Sequence, residues 1–196
     1  MAASERKRPW YLVLALLAAL AFGANGARSG WDSIVLYRNP VDASLAGQGI
    51  SAEAERAAVV ASVEAYVRTL DAAKSRGWPL AVASLLLGAS TLFFAMRALG
   101  GSGGARAALV QLVLAQAGVN AAHHWLMRDV DDAEWRWVEA SRAAHGHEHV
   151  PDDVMRGAAS MAFVFHALGS ALVVVALTRR RSREFFDSAP AVVGEP

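Results

Sequence analysis

Four stretches of the chain, 9–27, 78–96, 107–127 and 157–178, run without Asp, Glu, Lys or Arg. A bilayer core of about 30 Å is crossed by roughly 20 mainly apolar residues in helical form. Lipid offers the backbone no hydrogen-bond partner, so a helix, which bonds internally, is the expected form. The pattern predicts transmembrane helices over about 9–27, 78–98, 106–127 and 157–178. The first weakens at Gly23, Asn25 and Gly26. Basic Arg6, Lys7 and Arg8, an apolar run over 10–24 and the small Ala24-Asn25-Gly26 are also how a secretory signal peptide is built. A retained anchor is the favoured expectation, since the span reaches about 27 Å at 1.5 Å per residue.

Two intervening segments, 28–77 and 128–156, are expected outside the membrane, and each is expected to contain a helix. In the first, Ser51 is placed to cap a helix whose first turn carries Glu53 and Glu55 beside the positive end of the dipole. Lys74 and Arg76 fall in the expected last turn, Gly77 suits a left-handed stop, and Pro79 follows. Val60, Val63, Val67 and Leu70 recur at helical spacing and form one apolar stripe. In the second, a helix is expected over about 131–144, capped by Asp131 or Asp132, ended by Gly146 and carrying Trp137, Ala140 and Ala144. Water will not cover such a stripe, so the two helices should pack on each other or on a partner chain. Ahead of both, 34–37 is read as a short extended piece, with turns at Asn39-Pro40 and Gly47-Gln48-Gly49. The run over 100–104 is read as a flexible hairpin, and the chain after Arg183 as a disordered tail.

Composition agrees with a chain living in two solvents. Of its 196 residues, 55% are hydrophobic and only 19% charged, against about 45–50% and about 25% in soluble globular chains. The formal net charge is +1, and no basic stripe with interleaved aromatics marks a nucleic-acid surface. There is no cysteine, which removes disulfides, thiolate metal sites and cysteine nucleophiles. The Ala- and Arg-rich, Lys-poor usage resembles a high-GC bacterium. Orientation follows the basic flanks. Arg6 to Arg8, the pair Arg97 and Arg106, and the cluster Arg179, Arg180, Arg181 and Arg183 fall on one side if the N-terminus is inside. The 128–156 loop is acidic by contrast, with eight carboxylates against four arginines. All six tryptophans lie near span ends or in the outer loops, where the amphipathic ring anchors.

Candidate chemistry is sparse. Gly100-Gly101-Ser102-Gly103-Gly104 fits G-x-S-x-G formally, but that elbow needs a strand before the serine. Arg106 occupies the third glycine position of a dinucleotide fingerprint. No catalytic residue is assigned. His145, His147 and His149 alternate in the acidic loop, with Asp152 and Asp153 close by. Neutral imidazole suits zinc or copper, and alternation puts the three rings on one side if the segment is extended. The alternative is a solvated His-rich loop. Within the spans, Gln116, Asn120 and His124 form a polar stripe at i, i+4 and i+8. His166 and Ser170 do the same on the fourth span, opposite a small-residue face at Ser84, Gly88 and Thr91. Depth estimates place His166 roughly 13 Å inward, within reach of Gln116 or Asn120. These groups either join helices or mark a proton- or redox-handling site. Haem between His124 and His166 is disfavoured by a depth mismatch of about 10 Å.

The expected protein is therefore all-α: one polytopic membrane domain over 1–196, with four transmembrane helices, two extracytoplasmic helices and a cytoplasmic tail over 179–196. It is placed in a bacterial inner membrane with both termini cytoplasmic. The expected role is an accessory or structural subunit. Its partners are the bilayer and other membrane or periplasmic proteins, met through Val60, Val63, Val67, Leu70 and Trp137. Extracytoplasmic metal binding or sensing, and redox or proton handling at His166, are the alternatives.

Overall fold

The computed structural model describes residues 8–39 and 41–187, and every regular element among them is a helix. In chain order these are α1 (Trp10–Arg38), α2 (Ala43–Ala46), α3 (Glu53–Leu99), α4 (Gly103–Leu126), α5 (Arg128–Ala144), α6 (Asp152–Thr178) and α7 (Arg180–Asp187). Arg6, Lys7, Pro40 and the tail beyond 187 lie outside the described residues, as do the side chains of Asp152 and Asp153.

Three helices are long and apolar enough to cross a membrane: α1, α3 and the Ser160–Thr178 part of α6. The expected third span, α4, has the length, at 24 residues. It falls short in apolarity because Gln111, Gln116, Asn120, His123 and His124 interrupt it.

Contacts divide the chain into two compact units. The first is built from the described residues of Met1–Gly30, Ala83–Asn120 and Val164–Pro196, the second from Trp31–Val82 and Ala121–Phe163. In the first unit, Leu12, Leu16 and Ala19 of α1 share one core with Ala95 and Ala98 of α3, Leu109 and Val113 of α4, Val173 and Leu177 of α6, and Phe186 of α7. Successive helices run antiparallel, as short loops between neighbours dictate. Arg8 at the start of α1 donates to the Leu99 carbonyl at the end of α3 (2.5 Å). Arg106 at the start of α4 donates to the Leu177 carbonyl at the end of α6 (3.3 Å). The predicted small-residue face is the place where helices approach most closely. A Cβ on Gly88 would stand 2.2 Å from the Ala27 nitrogen and 2.7 Å from the Gly23 carbonyl oxygen. So Gly23 and Gly26, which weaken the first span by hydropathy, are where its backbone meets α3.

In the second unit, α3 and α5 pack together. Tyr66, Leu70 and Ala73 meet Val130 and Ala133 in one cluster with Tyr37 and Met127. Val59, Val63 and Ile50 form another, against which Trp137, Ala140 and Ala144 pack. The apolar stripe is thus closed within the chain, the first of the two arrangements open to it.

Several expected boundaries are corrected. Residues 34–37 are helical, because α1 continues to Arg38, and the buried Tyr37 is held in the α3–α5 core. The expected stop at Gly77 is absent, and α3 runs unbroken for 47 residues through Gly77 and Pro79. Gly77 serves packing instead: a Cβ there would lie 1.9 Å from the Tyr37 hydroxyl. Proline removes one backbone donor, and the surrounding contacts hold the helix through the gap. Ser51 is not the cap. The first α3 bond runs from Arg56 N–H to the Ala52 carbonyl (3.0 Å). Neither Asp131 nor Asp132 caps α5, which starts at Arg128 after Met127 and has no side-chain cap. The tail past Arg183 is ordered as far as Asp187. There Phe186 enters the core, Ser182 Oγ donates to the Ala176 carbonyl (2.7 Å) and Arg183 Nε to that of Thr178 (2.8 Å). The expected turn at 47–49 and the stop at 146 are present, with left-handed Gly49 and Gly146, while the expected 100–104 hairpin narrows to 100–102 around left-handed Gly101, because α4 begins at Gly103.

Overpacking a tight core costs about 1–3 kcal/mol, and more where the colliding atoms are backbone. Gly88→Ala should therefore lower the thermal transition in detergent markedly. Gly118→Ala, whose new methyl meets nothing within 4 Å, should leave it unchanged or raise it. Equal transitions for the two variants would contradict the α1–α3 contact.

Candidate functional site

The polar residues of the first unit form the main candidate site. Gln116 of α4 is only 2% exposed. Its Nε2 donates to the Phe22 carbonyl of α1 (2.9 Å), and its Oε1 accepts from Thr91 Oγ1 of α3 (3.2 Å). One amide side chain so joins three helices. The site exists because Gly26 has no side chain: a Cβ there would be 1.9 Å from Gln116 Nε2. One turn along α4, Asn120 Nδ2 donates to His166 Nε2 of α6 (2.6 Å). With Nε2 accepting, the ring is neutral and carries its proton on Nδ1. The Phe22 ring lies 4.7 Å from the imidazole, tilted by 52°. Ser170, one turn below His166, is buried.

The sequence-predicted cluster is therefore assembled in part. Asn120 meets His166, as the depth estimate expects, while Gln116 turns to α1 and α3. His124 belongs to the second unit, where its ring stacks on Phe163 (4.8 Å, 8°). The sequence reading missed Phe22, which supplies both a carbonyl to Gln116 and a ring to His166. An aromatic residue in a hydrophobic run carries no signal that it will do this.

The three histidines of the outer loop go separate ways. His145 Nδ1 bonds to the Ser141 carbonyl (2.7 Å), and His149 Nδ1 pairs with Glu139. Among the described residues no three His, Asp or Glu side chains gather as metal ligands do. Of the expected partner-binding residues, Val63 and Leu70 are buried in their own chain. Val67 packs on both clusters of the second unit, Val60 is half-covered, and Trp137 stacks on Tyr66 (5.4 Å, 28°).

Compared with known protein families, characterised proteins and solved structures, the chain matches none.

Electrostatics single out Asp131 on α5. Burial pushes its carboxyl above the ordinary range. His123 and His124 pull it back, while Asp132 and Asp129 push the same way as burial. Glu134 is raised by burial and by Asp131, but this residue is open to solvent, whereas Asp131 is partly covered. Tyr66, facing Glu134, is pushed up to about 12, chiefly by burial. Asp129 behaves oppositely. Burial raises it, but the hydrogen bond and charge of Arg76 outweigh that and leave it lowered. Being exposed, this pair is worth little.

A carboxyl whose folded pKa is raised binds its proton more readily in the folded state. The stability it contributes is full below the ordinary carboxylate range and is lost as pH rises through its folded value. Asp131 should thus make the protein more stable at about pH 4.5 than at pH 7, relative to Asp131→Asn. Thermal unfolding of both across this window is the check. Parallel pH profiles would remove Asp131 as the source.

Proposed function

We propose that this chain is an accessory or structural subunit of a bacterial inner membrane. In this reading it crosses four times, keeps both termini in the cytoplasm and assembles with membrane or periplasmic partners through its extracytoplasmic face. Four spans are favoured by the way α4 disposes of its polar groups. Gln116 is bonded to α1 and α3, and Asn120 to α6. A helix with its two central amides matched in this way can lie in hydrocarbon despite its hydropathy. The same bonding favours a joining role for His166 over proton handling. Retention of the first span is favoured by the Phe22 carbonyl, Gly23 and Gly26, since cleavage after Gly26 would remove all three from the core.

The observation that carries the subunit reading is Trp135. With the Val60 to Leu70 stripe closed by α5, this indole stays exposed. It lies between exposed Glu134 and Arg136, on an ordered helix outside the expected spans. Tryptophan is the side chain most often found dominating a protein interface. The contact surface therefore moves from the expected valine stripe to the outward side of α5.

Two measurements test this reading. The chain has no cysteine, so single-cysteine variants report cleanly. In intact cells a membrane-impermeant maleimide should label Ser141→Cys but reach Ser102→Cys only after lysis. Labelling of position 102 in intact cells would reverse or discard the topology. For assembly, wild type in mild detergent should migrate above its monomer mass. Trp135→Ala should run as a monomer with an unchanged thermal transition, the loss corresponding to about 2 kcal/mol or more at a hot spot. A monomeric wild type, or a Trp135→Ala complex of unchanged size, would defeat the subunit reading.

A further inference from the structure

The first unit carries an apolar groove between α1 and α6, of about 410 Å³, that its own helices leave unfilled. Trp10, Leu14 and Ala18 form one wall; Gly169, Leu172 and Ala176 form the other, and Arg179 stands at one end. Small residues leave the space, and at the deep end the Phe22 ring occupies the position that a Gly169 side chain would take. We propose that this groove holds one acyl chain of an anionic phospholipid, with its phosphate at Arg179.

Three features select this occupant. The first is length. From Gly169 to Arg179 is ten residues of helix, about 15 Å at 1.5 Å per residue. That is half of a hydrocarbon core of about 30 Å, the depth of a single leaflet. The second is polarity along the groove. Leu172, 70% exposed, presents a bare aliphatic surface, whereas the open end carries Trp10, the amphipathic residue of the headgroup level. The third is charge. Arg179 lies over the Tyr11 ring (5.5 Å). The ring face takes none of the guanidinium's N–H hydrogen bonds in the usual sense, and five such donors suit a phosphate. Basic side chains gather at this same end: Arg8 reaches the end of α3, Arg106 the end of α6, and α7 adds exposed Arg180, Arg181 and Arg183. In a zwitterionic lipid the headgroup cation offsets the phosphate's attraction to that surplus, while an anionic lipid carries no such offset. The proposal requires that the chain lie in a bilayer. It is independent of the subunit reading, because Trp135 plays no part in it.

Native mass spectrometry of the full chain, released from vesicles of equal phosphatidylglycerol and phosphatidylcholine, is the test. Wild type should retain one phospholipid, with phosphatidylglycerol favoured at least fivefold. Arg179→Gln should reduce that preference about fivefold and still retain a lipid. Ala176→Phe, which fills the groove from its half-covered wall, should lose the bound lipid. Ala18→Leu serves the same purpose from the α1 side if the first filling variant does not fold. Equal retention of the two lipids by wild type would overturn the proposal. So would a bound lipid indifferent to groove filling, or a second copy or partner helix cross-linking to Leu172→Cys in place of lipid.

Discussion

A polar group placed in hydrocarbon must find its partner inside the protein, because lipid supplies none. Gln116 meets that constraint for three helices at once, and much of the first unit is arranged around it. Its amide reaches the Phe22 carbonyl only because Gly26 leaves room, and it meets Thr91 on the helix that carries Gly88. Each such bond is worth only about 0.6–2 kcal/mol. Its larger consequence is register: a slip of one residue along α4 would move the amide off both partners. Asn120 repeats the arrangement one turn away with His166. The packing of Gly88 against Gly23 and Gly26 and the bonding of Gln116 therefore support one another. A larger side chain at any of these glycines strikes backbone or the Gln116 amide.

Much of this is legible in the linear sequence, for a physical reason. Lipid solvation acts over whole helices, so long uncharged runs announce themselves, and three of the four pass the test of length and apolarity. The meeting of Asn120 with His166 was also readable, since depth follows from counting 1.5 Å steps along straight helices. The gathering of Arg8, Arg106 and the α7 arginines at one end of the first unit follows from the same counting. What failed were local stop signals. Gly77 and Pro79 read as a terminus, and residues 34–37 as an extended piece, yet both are helical. Their helical state depends on contacts distant in sequence. Tyr37 on Gly77 is a packing fact that no window around residue 77 contains. The end of the chain failed similarly. Phe185 and Phe186 among arginines look like a frayed tail until the core that receives Phe186 is known.

The candidate site divides along the same line. Gln116, Asn120 and His166 were identifiable as polar residues in apolar runs, but their partners were not. The Phe22 carbonyl is ordinary backbone, and Thr91 read only as a small residue. For His145, His147 and His149 the course of the chain decides what alternation means. Alternation implies a shared side only for an extended strand. Here α5 persists to Ala144 and its turn sets His145 back onto Ser141. His149 instead reaches Glu139, so α5 takes two of the three rings separately.

The two apolar stripes of the chain receive opposite treatment. Val59, Val63 and Leu70 on α3 are covered almost completely by the second unit's own side chains. Phe165, Leu168, Leu172 and Val175 on α6 are at least half exposed, and only 17% of the apolar window of that helix is buried. In water, leaving four large side chains bare would cost roughly 1.5–3 kcal/mol each relative to burial, and the helix would be expected to recruit a cover. In hydrocarbon that driving force vanishes, because lipid tails are as apolar as leucine. A single solvent accounts for one stripe or the other, but not for both. A chain that closes one apolar stripe and leaves the other open is built for two solvents. Within the open one, a groove of leaflet depth ending at an arginine is a place where lipid could be a specific ligand as well as a solvent.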